Sequence, residues 1–237
     1  GGHISDWWIY RVYQAHRPLY LDGSGDYNPY GGIAIAGGLV TNENLSSLTI
    51  SANLLGAVAA DALFKAMCKN KKVEFLNLYN NAIYHWEHPG TINSLATMLK
   101  TNDTLTSLNM ARNGFETSSA ESIARALVVN RAVVNLDISS NPFGPKGAHA
   151  FGQMLLQNTT ISDLSMNRCK LTDAGEGLGT VEGGIATIAE SLAQNNTLVM
   201  FELEANGLHE ENESMRAANT ALSDALHKNT TLLKLST

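Results

Sequence analysis

Apolar residues fall into one eleven-position pattern that recurs along the chain, L-x-x-L-x-L-x-x-N-x-L. Leu45, Leu48, Ile50, Asn53 and Leu55 carry it first, then Val73, Leu76, Leu78, Asn81 and Ile83. The third and fourth copies are Leu105, Leu108, Met110, Asn113, Phe115 and Val133, Leu136, Ile138, Asn141, Phe143. The fifth is Ile161, Leu164, Met166, Cys169, Leu171, and the sixth is Leu198, Phe201, Leu203, Asn206, Leu208. A seventh opens at Leu232 and Leu235, and the copies start 28, 32, 28, 28, 37 and 34 residues apart. Alternate residues of an extended chain point the same way, so each copy predicts a short strand. Between copies, apolar residues return at helical spacing, as in Ile92, Leu95 and Leu99 or Ile188 and Leu192. Each unit is therefore a strand, a turn and a helix. No unit can bury its apolar side alone, so neighbours must stack, with a parallel sheet inside a curve and helices outside.

Asn makes up 23 of the 237 residues, an excess for a residue that favours turns and caps. The repeat accounts for most of it. The ninth position holds Asn53, Asn81, Asn113, Asn141, Cys169 and Asn206. It enters a turn rich in backbone polar groups, where a carboxamide donates and accepts at once and stacked copies form a ladder. Cys169 occupies one rung with a weaker donor. A second set, Asn42, Asn70, Asn102, Asn130, Asn158, Asn195 and Asn229, lies three residues before each copy. Asn tolerates the left-handed conformation that ends helices, so these are expected to be C-caps.

From about Thr41 to Thr237 the chain resembles the leucine-rich repeat family, in its long, ribonuclease-inhibitor-like subclass. The resemblance implies an α/β fold: a leucine-rich repeat solenoid, a curved horseshoe with its parallel sheet on the concave face and helices on the convex face. Family examples also admit Cys at the ninth position. Residues 1–40 are expected to form an N-terminal aromatic cap (Trp7, Trp8, Ile9, Tyr10, Val12, Tyr13) and a degenerate repeat. In that repeat Leu19 and Leu21 would be the strand, Ser24 the Asn substitute and Gly31 to Val40 the helix. Residues 41–237 hold about six full repeats plus the start of a seventh.

Composition and charge narrow the function. A formal charge of −6 and a pI near 5.6 leave no basic field for nucleic acid. No run of apolar residues is long enough to insert in a membrane. Catalytic signatures are missing, and no enzyme activity is expected. Gly175, Gly177 and Gly179 imitate a phosphate loop without the Lys that should follow. His85 and His88 have ligand-like spacing, but with no Cys or further His beside them neither a metal nor a cofactor is expected. Cys68 and Cys169 give no disulfide framework and read as reduced thiols, which suggests a cytoplasmic location, with cilium or cytoskeleton as the finer possibility. The chain opens without Met and stops inside a repeat, which suggests an excerpt of a larger protein.

What remains is a surface. The variable template positions face the concave side, and the residues expected to bind protein there are Phe75, Asn77, Tyr79, Asn109, Arg112, Asp137, Asp163, Arg168, Glu202 and Glu204. Aromatic and Arg side chains carry most interface energy once buried, about 2 kcal/mol or more each. Insertions near Tyr84 to Pro89, Glu176 to Gly183 and Glu210 to Met215 extend the same region. The resemblance implies a non-catalytic protein–protein interaction scaffold, part of a larger intracellular complex of the ciliary, axonemal or immune-receptor kind, with a protein partner of unknown identity. Its alternative is a GTPase-activating protein of the Ran-directed leucine-rich repeat type, with Arg112 and Asn113 as the nearest match to that family's turn-loop residues.

Overall fold

The computed structural model describes residues 2–4, 29–84, 86–172, 181–208 and 213–237. Eight short strands lie side by side in chain order in one sheet, and every pair is parallel. They are β1 (Gly2–Ile4), β2 (Leu45–Thr49), β3 (Phe75–Asn77), β4 (Ser107–Asn109), β5 (Asn135–Asp137), β6 (Asp163–Ser165), β7 (Met200–Glu202) and β8 (Lys234–Ser236). The helices between them are α1 (Tyr30–Leu39), α2 (Gly56–Met67), α3 (Gly90–Thr101), α4 (Thr117–Leu127), α5 (Gly144–Leu155), α6 (Val181–Gln194) and α7 (Glu213–Lys228). This is an α/β leucine-rich repeat solenoid.

Register explains why the strands stack without drift. Leu48, Leu76, Leu108, Leu136, Leu164, Phe201 and Leu235 are direct partners across successive strands. The first six of these are buried almost completely. They face the helices, whose apolar stripes close the other side. In α4 the buried residues are Ser119, Ala120, Ile123, Ala124, Ala126 and Leu127, a single helical face. Strands sit about 4.8 Å apart while packed helices need about 8–10 Å, so the stack must curve with the sheet inside. The residues flanking each buried Leu therefore look onto the concave surface.

One departure from the sequence expectation concerns the strand of the first unit. The strand beside β2 is Gly2–Ile4, with Ile4 in register with Leu48 and an irregularity between Gly2 and His3. Leu19 and Leu21, expected there, lie outside the described residues, as do Ser24 and the aromatic cluster from Trp7 to Tyr13. Three residues are enough to extend a ladder whose strands are mostly three residues long.

On the helical side, three glycines set the spacing of α5. A Cβ on Gly147 would stand 3.2 Å from that of Ala120, so the start of α5 touches α4. A Cβ on Gly152 would come within 2.8 Å of the Thr187 backbone, and one on Gly184 within 2.5 Å of the Pro145 carbonyl. Helices α5 and α6 thus meet backbone to backbone. Among the described residues no helix is long and apolar enough to cross a membrane.

Candidate protein-binding face

The concave face stands on the turn ladder beneath it. Asn113 shows the plan: its Nδ2 donates to the carbonyls of Leu78 (2.9 Å), Met110 (3.0 Å) and Ala111 (3.2 Å), and its Oδ1 accepts the Asn81 N–H (2.9 Å). Asn141 repeats this, donating to Met110, Ile138 and Ser139 and accepting from the amides of Asn113 (3.0 Å) and Phe115 (3.1 Å). Asn81 donates to Ile50, Leu78 and Tyr79 and accepts from Asn53 and Leu55. Asn53, in the first full copy, donates to Ser51, and Asn206 serves Met166 and Leu203 while accepting from Cys169 and Leu171. These bonds hold a turn in which Ala52, Asn80, Arg112, Ser140, Arg168 and Ala205 all adopt left-handed backbone angles near 55°. That conformation costs a non-glycine residue about 1 kcal/mol, which the ladder offsets.

Cys169 weakens one rung. Its Sγ lies 3.5 Å from the carbonyls of Ile138 and Asn167, the long reach of a weak S–H donor. The amides of Asn141 and Ser140 face the sulfur, and the Phe143 N–H turns to its own neighbour, the Asn141 carbonyl, at 2.8 Å. In the preceding copy the equivalent Phe115 N–H reaches a carboxamide. Burial pushes the Cys169 thiol up to about 12, so it stays protonated.

The helix-end Asn residues form a second ladder, and not by the left-handed cap expected of them. None of those seven has positive φ, and Asn102 is extended at φ −82°, ψ 122°. Their side chains do the work instead. Asn102 Oδ1 accepts from the amides of Thr104 (3.0 Å) and Leu105 (2.8 Å), while its Nδ2 reaches back to the Met67 and Asn70 carbonyls at 2.7 and 3.2 Å. Asn70, Asn195 and Asn229 make the same four bonds one repeat apart. Asn130 and Asn158 keep three of them. At Asn102 the bridge to the previous helix goes with an extended backbone in place of a left-handed cap.

On the concave surface the strand register lines up two rows. One runs Ser47, Phe75, Ser107, Asn135, Asp163, Met200, Lys234, and the other Thr49, Asn77, Asn109, Asp137, Ser165, Glu202, Ser236. Phe75 is 38% exposed and Tyr79, four residues on, 37%. Small residues flank both: Ser47 and Ser107 pair with Phe75, and the Tyr79 carbonyl is bonded by the Ala52 amide at the turn. The rings therefore stand as a ridge. Asn77 Oδ1 accepts the Tyr79 amide at 3.0 Å, which braces the second ring's backbone. Asn109 Nδ2 donates to Asp137 Oδ2 at 2.9 Å, joining two predicted residues, and the Ser162 hydroxyl donates to Asp163.

Towards the C-terminal end the face is acidic and more tightly tied. Glu202 accepts from Ser165 (3.0 Å) and Asn167 (3.2 Å) and pairs with Lys234 at 2.6 Å. The Lys234 ammonium, then Ser165, hold its carboxyl below the usual range, and Glu202 in turn raises Lys234. The exposed Glu204 offers its backbone N–H to Asn167 Oδ1 at 2.7 Å. Arg112 and Arg168 are exposed but sit in the left-handed turn, at the strand-end rim rather than on the sheet rows. Arg112 is thus not joined to Asn113, whose carboxamide is spent inside the ladder.

The template places Ser165 and Asn167 on the concave strand positions but outside the expected binding set, and it puts Lys234 on the strand next to Glu202. It also passed over Trp86, which is 74% exposed in the loop after β3. Beside that loop the Tyr84 hydroxyl donates to Glu116 at 3.2 Å, and burial followed by the Glu116 charge raises its pKa. His85 lies outside the described residues, and among the described residues no group of His, Cys, Asp and Glu could hold a metal ion.

The fold and this face define a class: a solenoid of strand–turn–helix units bound by two carboxamide ladders, presenting one continuous inner surface. The family described as Leucine Rich repeat matches residues 101–124 and 129–152. The strand–turn–helix unit of those two matches recurs along the described residues, which fit a leucine-rich repeat solenoid. The chain's repeats imply a protein-interaction scaffold. Among solved structures it is similar to leiomodin-1 actin-binding site 2, at 18% identity over 83% of this chain and 88% of that one, TM-score 0.45. The tropomodulin C-terminal domain of Caenorhabditis elegans is similar at 14% identity over 84% and 92%, TM-score 0.47. The leucine-rich repeat-containing protein LegL7 of Legionella pneumophila is similar at 15% identity over 90% and 87%, TM-score 0.40. No curated protein matches the chain in sequence.

Proposed function

We propose that the chain is a non-catalytic scaffold whose concave face grips a segment of a partner protein, with Phe75 and Tyr79 as the anchor. The observation that carries this reading is the aromatic ridge on and just after β3, two rings each more than a third exposed beside the small polar Ser47, Thr49 and Ser107. Covering both rings removes their apolar surface from water, the kind of anchor on which interfaces concentrate their energy. Asn77, Asn109 and Asp137 supply hydrogen bonds along the second row. Asp163, Glu202 and Glu204 meet cationic groups at the acidic end, while Arg112 and Arg168 on the rim meet anionic ones. The partner belongs to a larger intracellular complex, of the ciliary or immune-receptor kind that repeats of this class serve.

The test is affinity capture with the native chain, the Phe75→Ala/Tyr79→Ala double variant and a Lys100→Glu control on the exposed side of α3. The proposal expects a captured protein that the double variant loses and the control retains. Equal recovery by all three overturns it.

A further inference from the structure

We propose that a second docking site lies on the convex side, in the groove between α4 and α5, and that it takes an amphipathic helix of a partner with acidic flanks. The groove follows from the glycine contacts. Gly152 and Gly184 let α5 lean against α6, and the contact is locked by His149 Nδ1 bonded to Thr187 Oγ1 at 2.8 Å. The Thr187 hydroxyl donates onward to the Gly183 carbonyl at 2.6 Å, so the His149 ring nitrogen is the donor in the first bond. Near its start α5 still touches α4 through Gly147 and Ala120. Beyond that contact a cavity of about 440 Å³ opens along the two helices and the start of α6.

Its lining is of two kinds. Ala124 and Met154 are buried at the base, and half-buried Val128, at the end of α4, and Ala150, on α5, stand one helical turn from them as the apolar surface a partner can reach. That is the floor a partner helix needs for residues at three- and four-residue spacing. Arg125 and Lys146 stand exposed at the edges against a single carboxylate, Glu121. Among the described residues the ion pairs Lys65–Asp61, Lys71–Asp103 and Lys234–Glu202 include neither edge cation. On a chain of charge −6, a groove lined by two cations against one carboxylate favours an acidic partner by contrast.

The test uses two synthetic amphipathic helices with the same Leu stripe, one with Glu and one with Lys on the polar side. Each is titrated into the isotopically labelled chain and followed by amide chemical shifts. The Glu peptide should move the amides of Val128, Ala150 and Gln153, leave those of Asn77 and Tyr79 in place, and bind about fivefold or more tighter than the Lys peptide. The Arg125→Glu/Lys146→Glu variant, whose changes are on exposed positions, should reverse that preference. Equal binding of both peptides, shifts confined to the concave face, or no shifts at all would overturn the proposal. So would the same shifts on raising the concentration of the chain alone, which would make a second copy the occupant.

Discussion

Replacing Cys169 with Asn should make the protein more stable. In the copies before it the ninth residue is a carboxamide that accepts amides from the previous turn and donates to its carbonyls. At Cys169 the acceptor facing the Asn141 N–H is a weak sulfur, the Phe143 N–H turns to the Asn141 carbonyl instead, and one weak S–H serves both Ile138 and Asn167. An Asn there gains about three hydrogen bonds at about 1 kcal/mol each. Fixing the new side chain costs about 1 kcal/mol of rotamer freedom. The net gain is about 2 kcal/mol, and for a chain of this length that raises Tm by about 4–8 °C. Urea unfolding followed by circular dichroism, with calorimetry alongside, measures it directly. A Tm unchanged or lowered, at an unchanged denaturant slope, would refute the reasoning and show that the rung is shaped for sulfur.

The same bonds predict what their removal does. Asn113→Ala strands the Asn81 amide and takes one of two donors from each of three carbonyls, and should cost about 2 kcal/mol by urea unfolding; Asn113→Asp, which keeps the acceptor but sets a carboxylate against those carbonyls, should cost nearly as much. Ser119→Ala removes a buried hydroxyl with no partner among the described residues, and calorimetry should show a gain of about 1 kcal/mol. Cys169 is held protonated in the folded state and ionises nearer 9.0 when unfolded, so its contribution is complete below pH 9 and falls away as pH rises towards 12. The urea midpoint of the native chain should therefore drop more steeply above pH 9 than that of Cys169→Ala. Native protein should react with a thiol reagent at half-buried Cys68 alone, and Cys169 should follow only on unfolding. Gly152→Ala forces α5 off the Thr187 backbone and should lower Tm, with little effect on any ligand of the concave face.

Legibility in the sequence tracks how local the determining interaction is. The strands and their buried row follow from alternation within five residues, so Leu48, Leu76 and Leu108 could be assigned before any coordinates. The exposure of Phe75 and Tyr79 follows from the same alternation. The helix-end Asn residues could be located but not understood, because their Nδ2 partners lie about one repeat away, as in Asn102 to Met67. Local propensity favoured a left-handed cap, and the inter-repeat bond decided otherwise. The Glu202–Lys234 pair is 32 residues apart and depends on strand register. The close contact of α5 with α6 rests on Gly152 and Gly184, which sequence reading treats as weak helix formers rather than as points of backbone contact. Trp86 sits in an insertion that the template does not describe.

The two ladders have a consequence for the chain as a material. The repeats of Asn81, Asn113 and Asn141 each present acceptors on one side and the matching donors on the other, so the joints between them are chemically alike. Excising one 28-residue period, from Leu105 up to Val133, would bring Asn102 to the start of an equivalent strand and Asn81 beneath Asn141. Nothing in the bonding measures how many units have gone before. The molecule is assembled like masonry from interchangeable courses, and its span, and with it the curvature offered to a partner, can be lengthened or shortened by whole courses without redesigning a single bond.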